Sequence, residues 1–193
     1  MRAASDVRGD RYKLTYEHYV RASAETPMQI LDGAVYVTPA PLTDHQLAIG
    51  EIYAELRAWA QGRGGRAYLG PVDVRLGDHD IVQPDACALL PGRLSRDRNK
   101  YILGAPDLAV EVLSPSNARL DRGLKKDRYF ASDLTELWLV DLTLRTVEIF
   151  LPEAPLTPRV TATKRDRSVT SPTWSDLVVE VGEVFPRRRA KKR

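Results

Sequence analysis

Two acids stand where apolar strand interiors should be. Glu111 interrupts the run Leu108–Leu113 (Leu-Ala-Val-Glu-Val-Leu), and Asp85 follows Pro84 inside the run 81–90 (Ile-Val-Gln-Pro-Asp-Ala-Cys-Ala-Leu-Leu). A lone carboxylate in such a setting costs several kcal/mol unless it is paired or holds a cation. The plainer reading of a strand acid is exposure, because strand side chains alternate faces. The segment after Glu111 separates the two readings. Ser114-Pro115-Ser116-Asn117 reads as a strand stop and a helix cap, opening a helical segment over 117–130. In it Asp121, Lys125 and Tyr129 recur every four residues and share one face, which returns over the end of the Glu111 strand. Two carboxylates for a divalent ion and one cation for developing charge are the parts of a metal-dependent phosphodiesterase.

The rest of the pattern is that of an α/β chain. Thr15 caps a short helix to about residue 24, with Tyr16, Tyr19 and Val20 inward. Segment 29–37 is a hairpin around Asp32-Gly33. Thr43 or Asp44 caps an amphipathic helix with Leu47, Ile52, Leu56 and Trp59 or Ala60 at helical spacing, ending in the glycines of 62–65. A strand over 67–76, a turn over 77–80 and the Asp85 strand come next, with Cys87 on the Asp85 face. The nearly unbroken apolar character of Leu108–Leu113 implies burial on both faces. Strands over 136–141 and 145–151 flank a turn, and a Pro-rich stretch leads to closing strands through 173–181. The expectation is a single-domain mixed β-sheet flanked by helices, spanning 12–185, after a loose segment 1–11 and before a basic tail 186–193.

Length and a hydrophobic fraction of 43% suit one globular domain. No apolar run approaches the roughly 20 residues that span a bilayer, no signal-peptide core opens the chain, and one cysteine fits a reducing compartment; a cytoplasmic location is expected. The net charge of +3 comes from the tail: without 187–193 the chain carries 23 basic against 26 acidic residues. Phosphate attraction would therefore fall to Arg187, Arg188 and Arg189 of the tail, and to the basic loop bearing Arg93, Arg96, Arg98 and Lys100.

Pro84-Asp85, the segment 104–116 (Gly-Ala-Pro-Asp-Leu-Ala-Val-Glu-Val-Leu-Ser-Pro-Ser), the Asp121/Lys125/Tyr129 ladder and Leu137-Trp138-Leu139-Val140-Asp141 together resemble the Uma-two family of the PD-(D/E)xK, or restriction-endonuclease-like, superfamily. The resemblance runs from about Leu14 to Phe150 and more weakly toward Val184. It implies the restriction-endonuclease-like fold and a hydrolase cleaving DNA with Mg²⁺ or Mn²⁺. It makes Asp85 and Glu111 the metal-binding acids. The lysine expected two residues after the second acid is replaced by Leu113, and Lys125 on the next helix takes its place, with Lys126 as its solvent-facing neighbour. His45 matches a family histidine opening a helix. Gln29 stands where the family carries an acid before its Asp-Gly turn, and Ala34 where a second acid is common after it. Gln29, His45, Asp121 and Tyr129 are the supporting candidates.

Other chemistries fit less well. His18, His45 and His79 do not form a close-spaced metal triad, and Ser114 and Ser116 lack a nucleophile elbow. Two functions remain in competition. One is a metal-dependent endonuclease using Asp85, Glu111 and Lys125. The other is a catalytically weak or inactive binding or accessory protein of the nuclease fold, homodimeric, which Gln29 and the acidic body favour.

Overall fold

The computed structural model describes residues 13–22, 28–37 and 40–185; the N-terminal segment 1–11 and the tail arginines 187–189 lie outside them. The chain opens with α1 (Tyr16–Ala22), where Thr15 and His18 hydrogen-bond across the first turn (Oγ1 to Nδ1, 2.8 Å). Tyr19 is buried, but Val20 faces out at 51% exposure, because this short helix packs through one edge only. The expected hairpin is present as β1 (Met28–Leu31) and β2 (Ala34–Val37). Asp32 and Gly33 both take positive φ (52° and 75°), as a tight hairpin turn of right-handed strands requires. The long helix α2 (Thr43–Gly62) buries Ala48, Ile49, Ile52, Leu56, Trp59 and Ala60. Leu47 is instead exposed, and the N-cap is Leu42 without a side-chain bond, so Thr43 and Asp44 sit in the first turn rather than capping it.

The strand expected over 67–76 is two strands. β3 (Arg66–Leu69) and β4 (Val74–Gly77) are split at Gly70-Pro71 and belong to different sheets. β5 (Asp80–Val82) pairs with β4, and β6 (Ala86–Leu89) pairs with β3. Between β3 and β6 the chain therefore crosses twice between the sheets, once at 70–73 and once at 83–85. A 3-10 helix (Pro91–Arg96) leads to β7 (Ile102–Leu103), then β8 (Leu108–Leu113). Next come α3 (Ala118–Leu120), a widened turn (Asp121–Lys125) and α4 (Lys126–Ala131). Gly123, at φ −111° and ψ −110°, breaks what the sequence pattern reads as one continuous helix. β9 (Glu136–Asp141), β10 (Thr146–Phe150), β11 (Val160–Thr163), β12 (Ser168–Thr170), β13 (Val178–Glu180) and α5 (Val181–Val184) complete the fold.

Among the described residues three sheets result: β2-β1-β5-β4-β7, β11-β10-β9-β8-β6-β3, and the pair β12-β13. β8 and β9 are parallel, joined through the 118–131 crossover, while β6 and β8 are antiparallel. β8 is buried along its whole length, as expected of a central strand. Its Leu108, Val110 and Val112 pack toward α2 and α5, and its Ala109 and Leu113 pack toward Tyr129 and β5. This is a mixed α/β fold in a single domain.

Candidate active site

Asp85 lies in the second crossover, one residue before β6, rather than inside a strand. The register ends at the pair Ala86 and Val110, so Asp85 enters from just beyond the last rung, beside the part of β8 that carries Glu111. The Asp85 amide donates to the Val110 carbonyl (3.1 Å), and the Val112 amide donates to Asp85 Oδ2 (2.7 Å). Backbone bonds on both sides thus fix the carboxylate against β8. The register pairs Cys87 with Ala109, so by strand alternation Cys87 lies on the Glu111 face of the sheet, where it is fully buried. Burial and the nearby Glu111 charge push its thiol well above the ordinary range, which makes it a packing residue.

Glu111 is 4% exposed at its side chain, and Lys125 is 2% exposed. Lys125 Nζ lies 2.7 Å from Glu111 Oε2 and 3.7 Å from Asp121 Oδ1, and donates to the Gln83 carbonyl at 3.4 Å. The Tyr129 hydroxyl donates to Glu111 Oε1 (2.8 Å). The ladder of four-residue steps therefore converges on Glu111 despite the break at Gly123. Burial raises the Glu111 carboxyl to about 8; Lys125 opposes the rise, while Asp121 and Asp85 add to it. Burial also raises Asp121, again against Lys125. For Lys125, burial acts downward, but the charges of Glu111 and Asp121 outweigh it and its ammonium is held above its ordinary value. Burial and Glu111 lift the Tyr129 phenol, so it remains a donor.

His45 enters from the first turn of α2, its Nε2 3.2 Å from Asp85 Oδ2. Burial pulls its pKa down, but the Asp85 hydrogen bond and charge more than compensate, and the ring is raised overall. Its Nδ1 is buried without a partner among the described residues. Gln29 reaches the site edge, where its Oε1 accepts from the Gln83 amide (2.9 Å). Gln83 in turn donates from Nε2 to Asp73 Oδ1 (2.9 Å), which also accepts from the Tyr19 hydroxyl (2.6 Å). Asp85, Glu111, Lys125, Asp121, His45 and Gln29 line one cavity of about 630 Å³.

Two positioning residues are not apparent from the sequence pattern. Gly70 donates its amide to the Asp85 carbonyl (2.7 Å), and a Cβ there would meet the Pro84 carbonyl oxygen at 2.5 Å. The two crossovers thus touch backbone to backbone, and the Gly70-Pro71 interruption in an apolar stretch is its only signal. Gln83 is visible only as a polar residue before Pro84.

Lys126 is not the solvent-facing neighbour expected. It is 6% exposed, with Nζ 4.5 Å over the Phe150 ring and donating to the Pro155 carbonyl (2.5 Å). The Pro-rich loop after β10 folds over this side of α4 and supplies an acceptor. Arg93 and Arg96 hold the chain together rather than point toward the cavity. Arg93 donates to the Pro106 carbonyl (2.7 Å) and pairs with Asp107 (3.2 Å), and Arg96 donates to the Ala105 carbonyl (2.5 Å). Arg98 and Lys100 lie apart from the cavity, and neither lines it.

Among the described residues, no group of three or more His, Cys, Asp and Glu side chains gathers tightly enough to cage a metal ion. Magnesium does not demand such a cage; it commonly takes one or two carboxylates and fills its remaining positions with water and phosphate oxygens. The donor set here is three carboxylates facing one ammonium, with the described contacts of the Asp85 carboxylate all on Oδ2. Hard oxygen donors of this kind suit a divalent cation. No helix among the described residues is long and apolar enough to cross a membrane.

No curated protein sequence matches the chain. A crystal structure of "a putative nuclease belonging to DUF820" from Anabaena variabilis superposes with a TM-score of 0.72 at 22% identity, covering 89% of this chain and 97% of that one. That likeness establishes the shared fold. The profile of the Uma2 family, described as "putative restriction endonuclease", matches residues 15–181. The match takes in every residue of the cavity, and the chain belongs to the Uma2 family.

Proposed function

We propose that this protein is a metal-dependent endonuclease that hydrolyses DNA phosphodiester bonds in the cytoplasm, with Mg²⁺ or Mn²⁺ as its ion. One observation carries the reading: the Asp85 carboxylate is held by the amide of Val112, the residue after Glu111, and both acids line one cavity with the Lys125 ammonium 2.7 Å from Glu111. Asp85 and Glu111 would hold the ion, shared with water and phosphate oxygens. When bound, it polarises a phosphoryl oxygen and makes a coordinated water more acidic. The Val112 amide and His45 hold Asp85 Oδ2, which leaves Oδ1 for the ligand. Tyr129 fixes the rotamer of Glu111. Lys125 offsets charge that accumulates on the phosphoryl group and orients the attacking water, with the Gln83 carbonyl directing its ammonium. Ile49 and Leu113 line the same cavity and limit competing water.

The alternative, a catalytically weak binding or accessory protein working as a homodimer, has one specific observation in its favour. Both Glu111 oxygens are already engaged, one by Lys125 and one by Tyr129. Incubating DNA with the protein and Mg²⁺, beside an Asp85→Asn variant, tests the enzyme reading. Cleavage by the parent and none by the variant is expected. Absence of cleavage by both, with no heat of Mg²⁺ binding by calorimetry, would leave the accessory role.

A further inference from the structure

We propose that a groove beside the active site holds unpaired nucleotides adjoining the scissile phosphate, so that the substrate enters as a single strand. The proposal rests on the nuclease reading above and adds the substrate's form.

The groove is a second cavity of about 810 Å³, lying between the β1-β2 hairpin and the start of the 118–131 crossover. It shares Gln29, Ser116 and Asn117 with the active-site cavity, so the two lie side by side. Its hairpin wall presents Val35, Tyr36 and Val37, and its helical wall presents Arg119, Leu120 and Leu124. Gly123, where the helix breaks, also lines this wall and contributes no side chain to fill it.

Charge distinguishes the groove from an ordinary apolar crevice. The neighbouring arginines are neutralised: Arg122 pairs with Asp141 and Glu148, and Arg128 with Asp32 and Asp80. Arg119 makes no ion pair or hydrogen bond with any described residue. It therefore places a cation, unpaired among the described residues, on a groove beside the proposed phosphodiester site. Tyr36 is half-buried, and its hydroxyl also lacks a partner among the described residues. An aromatic ring, aliphatic walls and one free guanidinium match the needs of a strand whose bases are unstacked. Bases lie against the ring and apolar walls, and the phosphate meets the cation. A duplex cannot use this surface, because its base faces are covered by their neighbours and only its edges are presented.

The test measures binding of a labelled single-stranded oligodeoxynucleotide and its blunt duplex to the full-length chain by fluorescence anisotropy in EDTA, with cleavage in Mg²⁺ measured separately. The parent is expected to bind the single strand more tightly than the duplex. Tyr36→Ala and Arg119→Gln should each weaken single-strand binding about 10-fold while leaving duplex binding unchanged, and Tyr36→Phe should retain most of the affinity. Circular dichroism establishes that each variant is folded, and Arg119→Gln removes no ion pair within the described fold. If the parent cleaves but Tyr36→Ala and Arg119→Gln bind the single strand like the parent, the groove proposal falls and the nuclease reading stands. If those two variants lose single-strand binding while the parent cleaves nothing, the groove proposal stands and the nuclease reading falls. Equal affinity for duplex and single strand overturns the proposal. So does a dimer that dissociates on Tyr36→Ala, because a second copy would then occupy the groove.

Discussion

The Val112 amide donates to Asp85 Oδ2 at 2.7 Å, a hydrogen bond from the backbone of one sheet strand to the side chain of the crossover beside it. Charge-assisted bonds of this kind are about twice as strong as neutral ones. The bond ties the aspartate's position to β8, the strand that carries Glu111, so the two acids move as a unit. Asp85→Asn can keep an oxygen acceptor for Val112 while removing the charge. It should abolish cleavage and sharply weaken Mg²⁺ binding, with Tm changed by only a few degrees. Calorimetric titration and thermal unfolding of the same sample check both halves.

Lys125 and Lys126 should separate cleanly by role. Lys125→Met removes the ammonium beside Glu111 and is expected to lower turnover by about 10²–10³-fold, the usual cost of losing one aligned electrostatic group. Lys126→Ala strips the stem from Phe150 and the donor from the Pro155 carbonyl. It should lower Tm by roughly 2–4 °C while leaving turnover close to the parent value. Equal activity losses in the two variants would sink the assignment of Lys125.

Gly70 supports the site without touching a ligand. Gly70→Ala forces a methyl onto the Pro84 carbonyl oxygen, where the approach would be 2.5 Å. The crossover must shift, at about 1–3 kcal/mol for overpacking. Activity should fall more than stability does, since Asp85 is displaced. Comparing kcat with the urea midpoint distinguishes displacement from unfolding.

Stability should fall as pH rises from about 4.5 to 8. Glu111 keeps its proton in the folded state up to about 8, whereas an unfolded glutamate loses it near 4.3, so the native state binds more protons across that window. His45, also raised, adds to the same trend: its contribution is complete below its ordinary value and is lost as pH climbs through the raised one. Thermal unfolding in EDTA across this range should show a decreasing Tm, and Glu111→Gln should flatten the slope. Mg²⁺ should stabilise more at pH 8 than at pH 6, because its binding would release the Glu111 proton.

Local pattern carried much of this structure. The Asp32-Gly33 hairpin, the fully buried β8 and the shared face of Asp121, Lys125 and Tyr129 all follow from periods of two or of about four residues. Three things resisted the same logic, each for a tertiary reason. Gly70-Pro71 splits one apolar stretch between two sheets, and no local periodicity says where a strand changes sheet. Lys126 is covered by a loop 29 residues further on, whose carbonyl no pattern places. Arg93 and Arg96 read as a solvent-facing basic run, yet backbone carbonyls of 105–106 claim them. Asp85, Glu111 and Lys125 stand out in the sequence as charges in apolar or periodic surroundings, whereas the Gly70 and Gln83 contacts around the crossovers do not.

Glu111 and Lys125 sit on different elements, joined by 13 intervening residues and a break at Gly123. Their separation is therefore set by how the helical segment rests on the sheet, and no covalent ruler fixes it. A lysine two places along the same strand would be held at one distance from its acid. Here a slide of the 118–131 segment would lengthen or shorten the ion pair while the sheet stays still. The break at Gly123 is the place where the backbone of that segment departs from a regular helix, so a substitution there would act on the ion pair through the segment's seating on the sheet.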